Sequence, residues 1–254
     1  MDFAYTSEQE GIRQSIQSLM KDFPDEYWMA RDQAHEFPMD FHDAIAKAGY
    51  LGLVIPEEYG GSGLGITEAG IALMEVAASG AAFNGASSIH LSIFGINPVV
   101  KHGSEEMRQK YLPRVVSGDL HICFGVTEPD AGTDTTRIST RAVRDGDRYI
   151  INGKKVWLTK AGDSQKVLLL TRTTPLEECK KRTDGMTLFF ADLDPSAVTI
   201  RPISKMGRNA VASNEVFFDN LSVPATDLVG QEGRGFHHLL DGLNPERILG
   251  SYEG

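Results

Sequence analysis

Up to about Gly118 the apolar residues recur at helical spacing. Ser7 and Glu10 stand three apart, as in a capping box, and Ile12, Ile16, Leu19, Met20 and Phe23 then share one stripe, which predicts an amphipathic helix. Asp40 reads as the start of a second, with Phe41, Ile45 and Ala48 on one side and Gly49 as its stop. After the turn-rich loop IPEEYGGSGLG, Thr67 opens a third through Ile71, Met74 and Ala78. Ile89, Ile93, Ile96 and Val100 continue the period, and a further helix from about Glu105 runs through Leu112 and Val115 to Ser117-Gly118. From His121 short β-rich runs take over: HICFGVT, STRAVR, RYIING, KKVWLT, KVLLLTRT, MTLFFADL, VTIRPI and NEVFFDNLSV, with Asp145-Gly146 as a hairpin turn. Strands this closely spaced, with no helix between them, predict an antiparallel barrel or sandwich. After Gly230 the pattern turns helical again, and Asn244 as N-cap with Pro245 in the first turn predicts a helix start there. The expected fold class is therefore α+β and multidomain: an all-α domain over 1–120, an antiparallel β domain over 121–232, and the beginning of another helical domain over 233–254.

Charge and cysteine content remove several function classes. A net charge of −10 disfavours a nucleic-acid or anionic-membrane surface, because phosphate binding needs clustered Lys and Arg. Cys123 and Cys179 are the only cysteines, so neither a disulfide framework nor a zinc site is expected, and a reducing compartment fits. The N-terminus MDFAYTSEQEGIRQ carries acidic residues and no apolar leader, and no later stretch reads as the roughly 20 apolar residues of a membrane span. A cytoplasmic enzyme is expected. His90, His102, His237 and His238 have no metal-ligand spacing, and the loop TPLEECKKRTDG reads as a solvated insertion.

Candidate chemistry sits at a strand end. In FGVTEPDAGTDTTR the strand finishes at Thr127, and Gly132-Thr133 follows with backbone N–H groups that suit a phosphate, while Thr127 offers a hydroxyl to a flat heterocycle. In KKVWLTK, Trp157 and Thr159 are two apart on a strand and face the same way, an aromatic plane beside a hydroxyl. Singly, each pattern is equally well a plain strand terminus or a core tryptophan.

The segment from Gly125 to Asp134 closely resembles the flavin-binding signature of the acyl-CoA dehydrogenase family. IPEEYGGSGLG, YIINGKKVWLT, EVFFDNLSVP and VGQEGRGF resemble further family segments in the family's order, so the resemblance covers nearly the whole chain. It implies an N-terminal helical domain, a middle β domain and a C-terminal four-helix domain, of which only the opening is expected here. It implies FAD as cofactor, with Phe124, Val126 and Thr127 along the isoalloxazine, Gly132 and Thr133 near the pyrophosphate, Trp157 against one ring face and Thr159 within reach of N5. The implied reaction is α,β-dehydrogenation of an acyl-CoA thioester to a trans-2-enoyl-CoA. An electron-transferring flavoprotein is the implied electron acceptor, and the full-length assembly would be a homo-oligomer, a dimer or tetramer. In one branch of the family the base is a Glu directly before an Arg at the start of the C-terminal domain, and NPERI resembles that pattern, nominating Glu246 as base and Arg247 as its electrostatic partner. A Glu in the first turn of a helix is also favoured by the helix dipole without any chemistry. Arg137 and Lys160 depart from the family, which usually has a small residue and an Asn at those positions. Lys154-Lys155 and Lys180-Lys181-Arg182 are basic clusters that could attract CoA phosphates or simply be solvated. A flavin-dependent oxidase or monooxygenase on the same scaffold, and a non-catalytic flavin- or acyl-CoA-binding subunit, are the competing expectations.

Overall fold

A computed structural model describes residues 4–254. The first helix, α1 (Ser7–Leu19), begins one residue earlier than its sequence signature: Thr6 is the cap, accepting from the Gln9 backbone at 3.2 Å while the Gln9 side chain accepts from the Thr6 N–H at 3.1 Å. Helix α2 (Asp25–Ala34) has no counterpart in the apolar pattern, because Trp28 is its one buried residue. The Trp28 indole donates to the Phe23 carbonyl at 3.0 Å, and edge-on contacts with Tyr27 and Phe41 seat it in the core. Helix α3 (Met39–Lys47) follows Pro38, and the chain then loops to α4 (Ile66–Val76).

From α4 the chain continues through α5 (Ala82–His90) and α6 (Asn97–His102), with wide π turns at Ala77–Ala81 and Leu91–Gly95 between them and a kink at Gly80, φ 97, and Ala82, φ 45, that breaks the helical path. The whole run, Ile66–His102, is long and apolar enough by composition to cross a membrane, contrary to the expectation that no such stretch exists. Here it is a kinked pair of helical segments at the centre of the helical domain: Ala69, Leu73, Val76, Ile89 and Ile93 belong to the buried core. Helix α7 (Glu105–Val116), capped by Ser104, completes this layer.

The middle region is one eight-stranded sheet made of β1 (Ile122–Gly125), β2 (Arg141–Asp145), β3 (Arg148–Thr159), β4 (Lys166–Arg172), β5 (Met186–Asp192), β6 (Val198–Ile203), β7 (Ser213–Pro224) and β8 (Leu228–Val229). Its order is β6-β7-β3-β2-β4-β5-β8, with β1 on β4. The sheet is open, not a barrel, and it is not wholly antiparallel: β1 runs parallel to β4, and β2 meets the end of β4 in parallel at Arg172. Residues 126–165 form the long crossover that parallel pairing of β1 and β4 requires. RYIING and KKVWLT are a single strand, β3, whose register shifts near Gly153 and again between Lys155 and Leu158.

Strands β4 and β5 are buried on both faces, and their period of two divides them between two cores. Leu168, Leu170, Met186, Leu188 and Phe190 pack with the helices, whereas Val167, Leu169, Phe189 and Ala191 pack inside the β domain with Tyr149, Ile151 and Val216. Each such Leu or Phe contributes about 1.5–3 kcal/mol by leaving water.

The last helix, α8, is continuous over Gly235–Glu253, so Asn244 is not an N-cap and Pro245 lies in its interior. A proline there deprives the carbonyl four residues back, that of Asp241, of its helical donor. Asn97 of α6 replaces the donor, its side-chain amide reaching the Asp241 carbonyl at 2.7 Å. Lys101 and His102 bind the Asp241 carboxylate at 2.8 and 2.7 Å. A tertiary contact thus carries α8 past a residue that would break an isolated helix. Glu246 consequently stands mid-helix, where the N-terminal dipole explanation for a Glu does not hold.

Candidate functional site

Between the ends of β1 and β3, the α5 segment and α8 lies a cavity of about 670 Å³, within the usual range for a small-molecule site. Phe124, Val126, Thr127, Gly132, Thr133, Trp157, Thr159, Glu246 and Arg247 all line it. The structure therefore brings the nine residues nominated for the flavin and the base around one space.

The wall formed by the strand end is built on a buried ion pair. Beyond Thr127 the chain doubles back, the backbones of Glu128 and Ala131 exchanging two hydrogen bonds of 3.1 Å. The Glu128 carboxylate accepts from the backbone N–H and hydroxyl of Ser139, at 2.7 and 2.8 Å, from the Thr140 N–H at 2.9 Å, and from Lys155 at 2.9 Å. Lys155 also donates to the Val126 carbonyl at 3.0 Å, and Val156 N–H to the Thr127 carbonyl at 2.9 Å. Burial by itself would raise the Glu128 pKa, but the Lys155 charge and these hydrogen bonds outweigh it and hold the carboxyl down to about 2. Lys155 is thus no surface phosphate ligand. The loop over 174–185 is likewise tied down rather than a free insertion: the Arg172 guanidinium donates to the carbonyls of Thr136, Ile138, Arg182 and Asp184. Asp134 caps the turn at Thr136 and pairs with Arg182.

On β3 the second register shift puts Trp157 in a left-handed backbone conformation, φ 66, and leaves the residue 59% exposed at the cavity. An exposed tryptophan on a strained residue is poor core packing and good ligand surface. Leu158 beside it is fully buried, and Thr159 returns to the cavity. Among the described residues, the hydroxyls of Thr127, Thr133, Thr135 and Thr159 have no hydrogen-bond partner within the chain, though all four residues line the space. A Cβ on Gly132 would meet nothing within 4 Å, so the loop leaves room at that point. Aromatic surface from Trp157, Phe124 and Phe94, edged by unengaged hydroxyls, fits a ligand with a flat apolar ring and a polar rim, as a flavin has.

Helix α8 forms the opposite wall. Burial raises the Glu246 carboxyl above its ordinary range, against the weaker pull of His90 and Arg247. The Arg247 guanidinium donates to the Leu243 carbonyl at 3.0 Å, one turn back, and makes no ion pair with Glu246. Two lining residues, His90 and Arg208, were not read as site residues from sequence. His90 binds the buried Glu253 through Nδ1 at 3.0 Å, and Arg208 is held by the hydroxyls of Ser87 and Ser213 at 3.1 and 2.8 Å. Neither belongs to a local motif: helix packing brings in His90, and the loop between β6 and β7 brings in Arg208. Lys155 had a signal, since two adjacent lysines on a half-buried strand must face opposite sides.

Two family models match the chain: acyl-CoA dehydrogenase, N-terminal domain, over residues 6–119, and acyl-CoA dehydrogenase, middle domain, over residues 123–221. Acyl-CoA dehydrogenase fadE12 of Mycobacterium bovis is 32% identical, the alignment covering 98% of this chain and 63% of the relative. Mitochondrial isovaleryl-CoA dehydrogenase of Pongo abelii is 29% identical over 96% of this chain and 58% of its own length. Among solved structures, butyryl-CoA dehydrogenase from Megasphaera elsdenii superposes with a TM-score of 0.91 at 26% identity, covering 100% of this chain and 66% of that one. The chain spans somewhat less than two thirds of the length of these relatives. The two family domains, in order, account for nearly all of residues 6–221, and this chain belongs to the acyl-CoA dehydrogenase family.

Proposed function

We propose that this chain forms the flavin site and part of the acyl site of an FAD-dependent acyl-CoA dehydrogenase, which converts an acyl-CoA thioester to a trans-2-enoyl-CoA. One observation carries the reading: a carboxyl with a raised pKa, Glu246, faces an aromatic wall rimmed with free hydroxyls across a single cavity. Bound FAD would supply the acceptor for the hydride that leaves the β-carbon. Trp157 and Phe124 would cover its ring system, and Thr127, Thr133 and Thr159 would bond its polar atoms.

Glu246 takes the α-proton. That proton is weakly acidic, so a carboxylate made more basic by partial burial is better matched to it than an ordinary one. As the proton leaves, negative charge grows on the thioester oxygen, and hydrogen-bond donors in a dry site stabilise it. Arg208 and Arg247 bring two guanidinium groups to a cavity lined by one carboxyl, a balance suited to an anionic ligand. The electrons would pass on to an electron-transferring flavoprotein, and the full-length protein would work as a homo-oligomer.

The test is the visible absorption spectrum of the FAD-loaded protein before and after anaerobic addition of a small panel of acyl-CoAs. Bleaching of the flavin band by one chain length is the expected result. A protein that takes up no FAD, or whose bound flavin no acyl-CoA reduces, would overturn the proposal in favour of a non-catalytic relative. Rapid reoxidation by air after bleaching would mark an oxidase instead.

A further inference from the structure

Directly after Thr159 the chain leaves β3 through Lys160, whose side chain is fully buried. Its backbone is left-handed, φ 51, a conformation that suits Gly or Asn and strains a residue with a long side chain. The ammonium donates to the Ser88 carbonyl at 3.0 Å and lies 5.5 Å from the centre of the Phe37 ring. Among the described residues, no carboxylate forms an ion pair with it; Asp163, in the same turn, attracts it from farther away. Its remaining neighbours do not cancel the charge. Burial and Lys160 itself push His42 down to about 2 and His121 down to about 4, so both rings are neutral at pH 7, and burial pushes the Cys123 thiol up to about 12. The Lys160 value, lowered by burial to about 8, still leaves it charged at neutral pH.

A buried cation without a paired anion is costly, and so is a left-handed Lys. Beyond the cation–ring contact with Phe37, neither cost gains a structural contact that a neutral side chain could not provide. The position is nonetheless specific: Thr159, its chain neighbour, lines the cavity, and Ser88, its hydrogen-bond partner, lies between Ser87, which anchors Arg208, and the lining residues His90 and Leu91. Lys160 therefore sits one layer behind the cavity wall.

We infer that Lys160 is an electrostatic positioning residue for the cofactor site, its buried charge favouring the negative charge that a flavin gains on reduction and so raising the reduction potential of the bound cofactor. A flavin that takes up two electrons and one proton carries one negative charge, which a buried cation behind the same wall would favour. The inference rests on the proposed flavin function and concerns a property that can be read without turnover.

The experiment compares the FAD-loaded protein with Lys160→Met, Lys160→Gln and Lys160→Arg at pH 7, measuring the midpoint potential against a reference dye and the melting temperature. Both neutral variants are expected to disfavour reduction at least tenfold, a drop of about 30 mV for a two-electron couple, while melting at the same or a higher temperature. Lys160→Arg, if it folds, retains the potential. FAD bound at an unchanged potential in both neutral variants would overturn the inference and leave the proposed function intact. So would a lower melting temperature without a change in potential, the mark of a purely structural lysine. A wild-type protein that shows no flavin band after loading would overturn both.

Discussion

Glu128 stands behind one wall of the cavity and Glu246 forms part of the other, and burial acts on the two carboxyls in the same direction. The outcomes are opposite. Glu128 has Lys155 and three further donors within 2.9 Å, and its pKa falls to about 2. Glu246 has nearby charges but, among the described residues, no hydrogen-bonded side-chain partner, and its pKa rises. Depth alone does not decide what a carboxyl does; the donors aimed at it do. The first arrangement fixes the strand-end loop in place, and the second leaves a proton acceptor facing open space.

Exchanging each carboxyl for its amide separates the two roles. Glu246→Gln is expected to slow flavin reduction by acyl-CoA by roughly 10²- to 10⁴-fold, the usual range for a general base, with FAD binding unchanged and the melting temperature the same or higher in the same samples. Normal reduction in stopped-flow traces would move the base elsewhere. Glu128→Gln strands the Lys155 charge in the interior and is expected to cost about 3–5 kcal/mol in urea unfolding. Adding Lys155→Met should recover most of that loss; no recovery would mean that the hydrogen bonds to Ser139 and Thr140, not the ion pair, carry the clamp.

Acid sharpens the contrast. Because the folded-state pKa of Glu128 lies below the ordinary value of 4.5, its contribution is complete above pH 4.5 and is lost as the pH falls toward 2. The loss is on the order of 3 kcal/mol. Glu246 contributes with the opposite sign: its pKa is raised, so protonation as the pH falls relieves a desolvated charge. Urea midpoints followed from pH 6 to pH 3 should therefore fall steeply in the wild type and in Glu246→Gln, and much less in Glu128→Gln. The smallest effect belongs to the exposed ring between the two walls. Trp157→Ala should weaken FAD binding by about tenfold, near the upper range for an aromatic contact, and leave stability within about 0.5 kcal/mol. An unchanged dissociation constant by fluorescence titration would take Trp157 out of the ring-covering role.

The parts of this architecture that the sequence made legible are those written in local periodicity. The helical stripes of the first region and the continuous apolar runs of β4 and β5 read directly, as did the strand-end and Trp157-Thr159 patterns. Helix α2 did not, because a helix held by one tryptophan has no stripe to find. Gly153 made β3 look like two strands, although the glycine only marks a shift in its pairing with β7. Pro245 looked like a helix start because the amide that rescues the Asp241 carbonyl comes from Asn97, well over a hundred residues earlier. The same limit hid His90, Arg208 and the partner of Glu128. Each depends on where another segment lands, and no local spacing encodes that.

Strands β4 and β5 give alternate side chains to two different interiors, and this makes the helical and β regions a single cooperative unit. Neither can be separated without turning one apolar face of both strands to water. A single calorimetric transition and resistance to nicking near residue 120 are the corresponding behaviours. For evolution, the pair travels as one inheritable block: recombination between relatives can exchange the sequence on either side of that shared wall only if it keeps both faces of the wall in step.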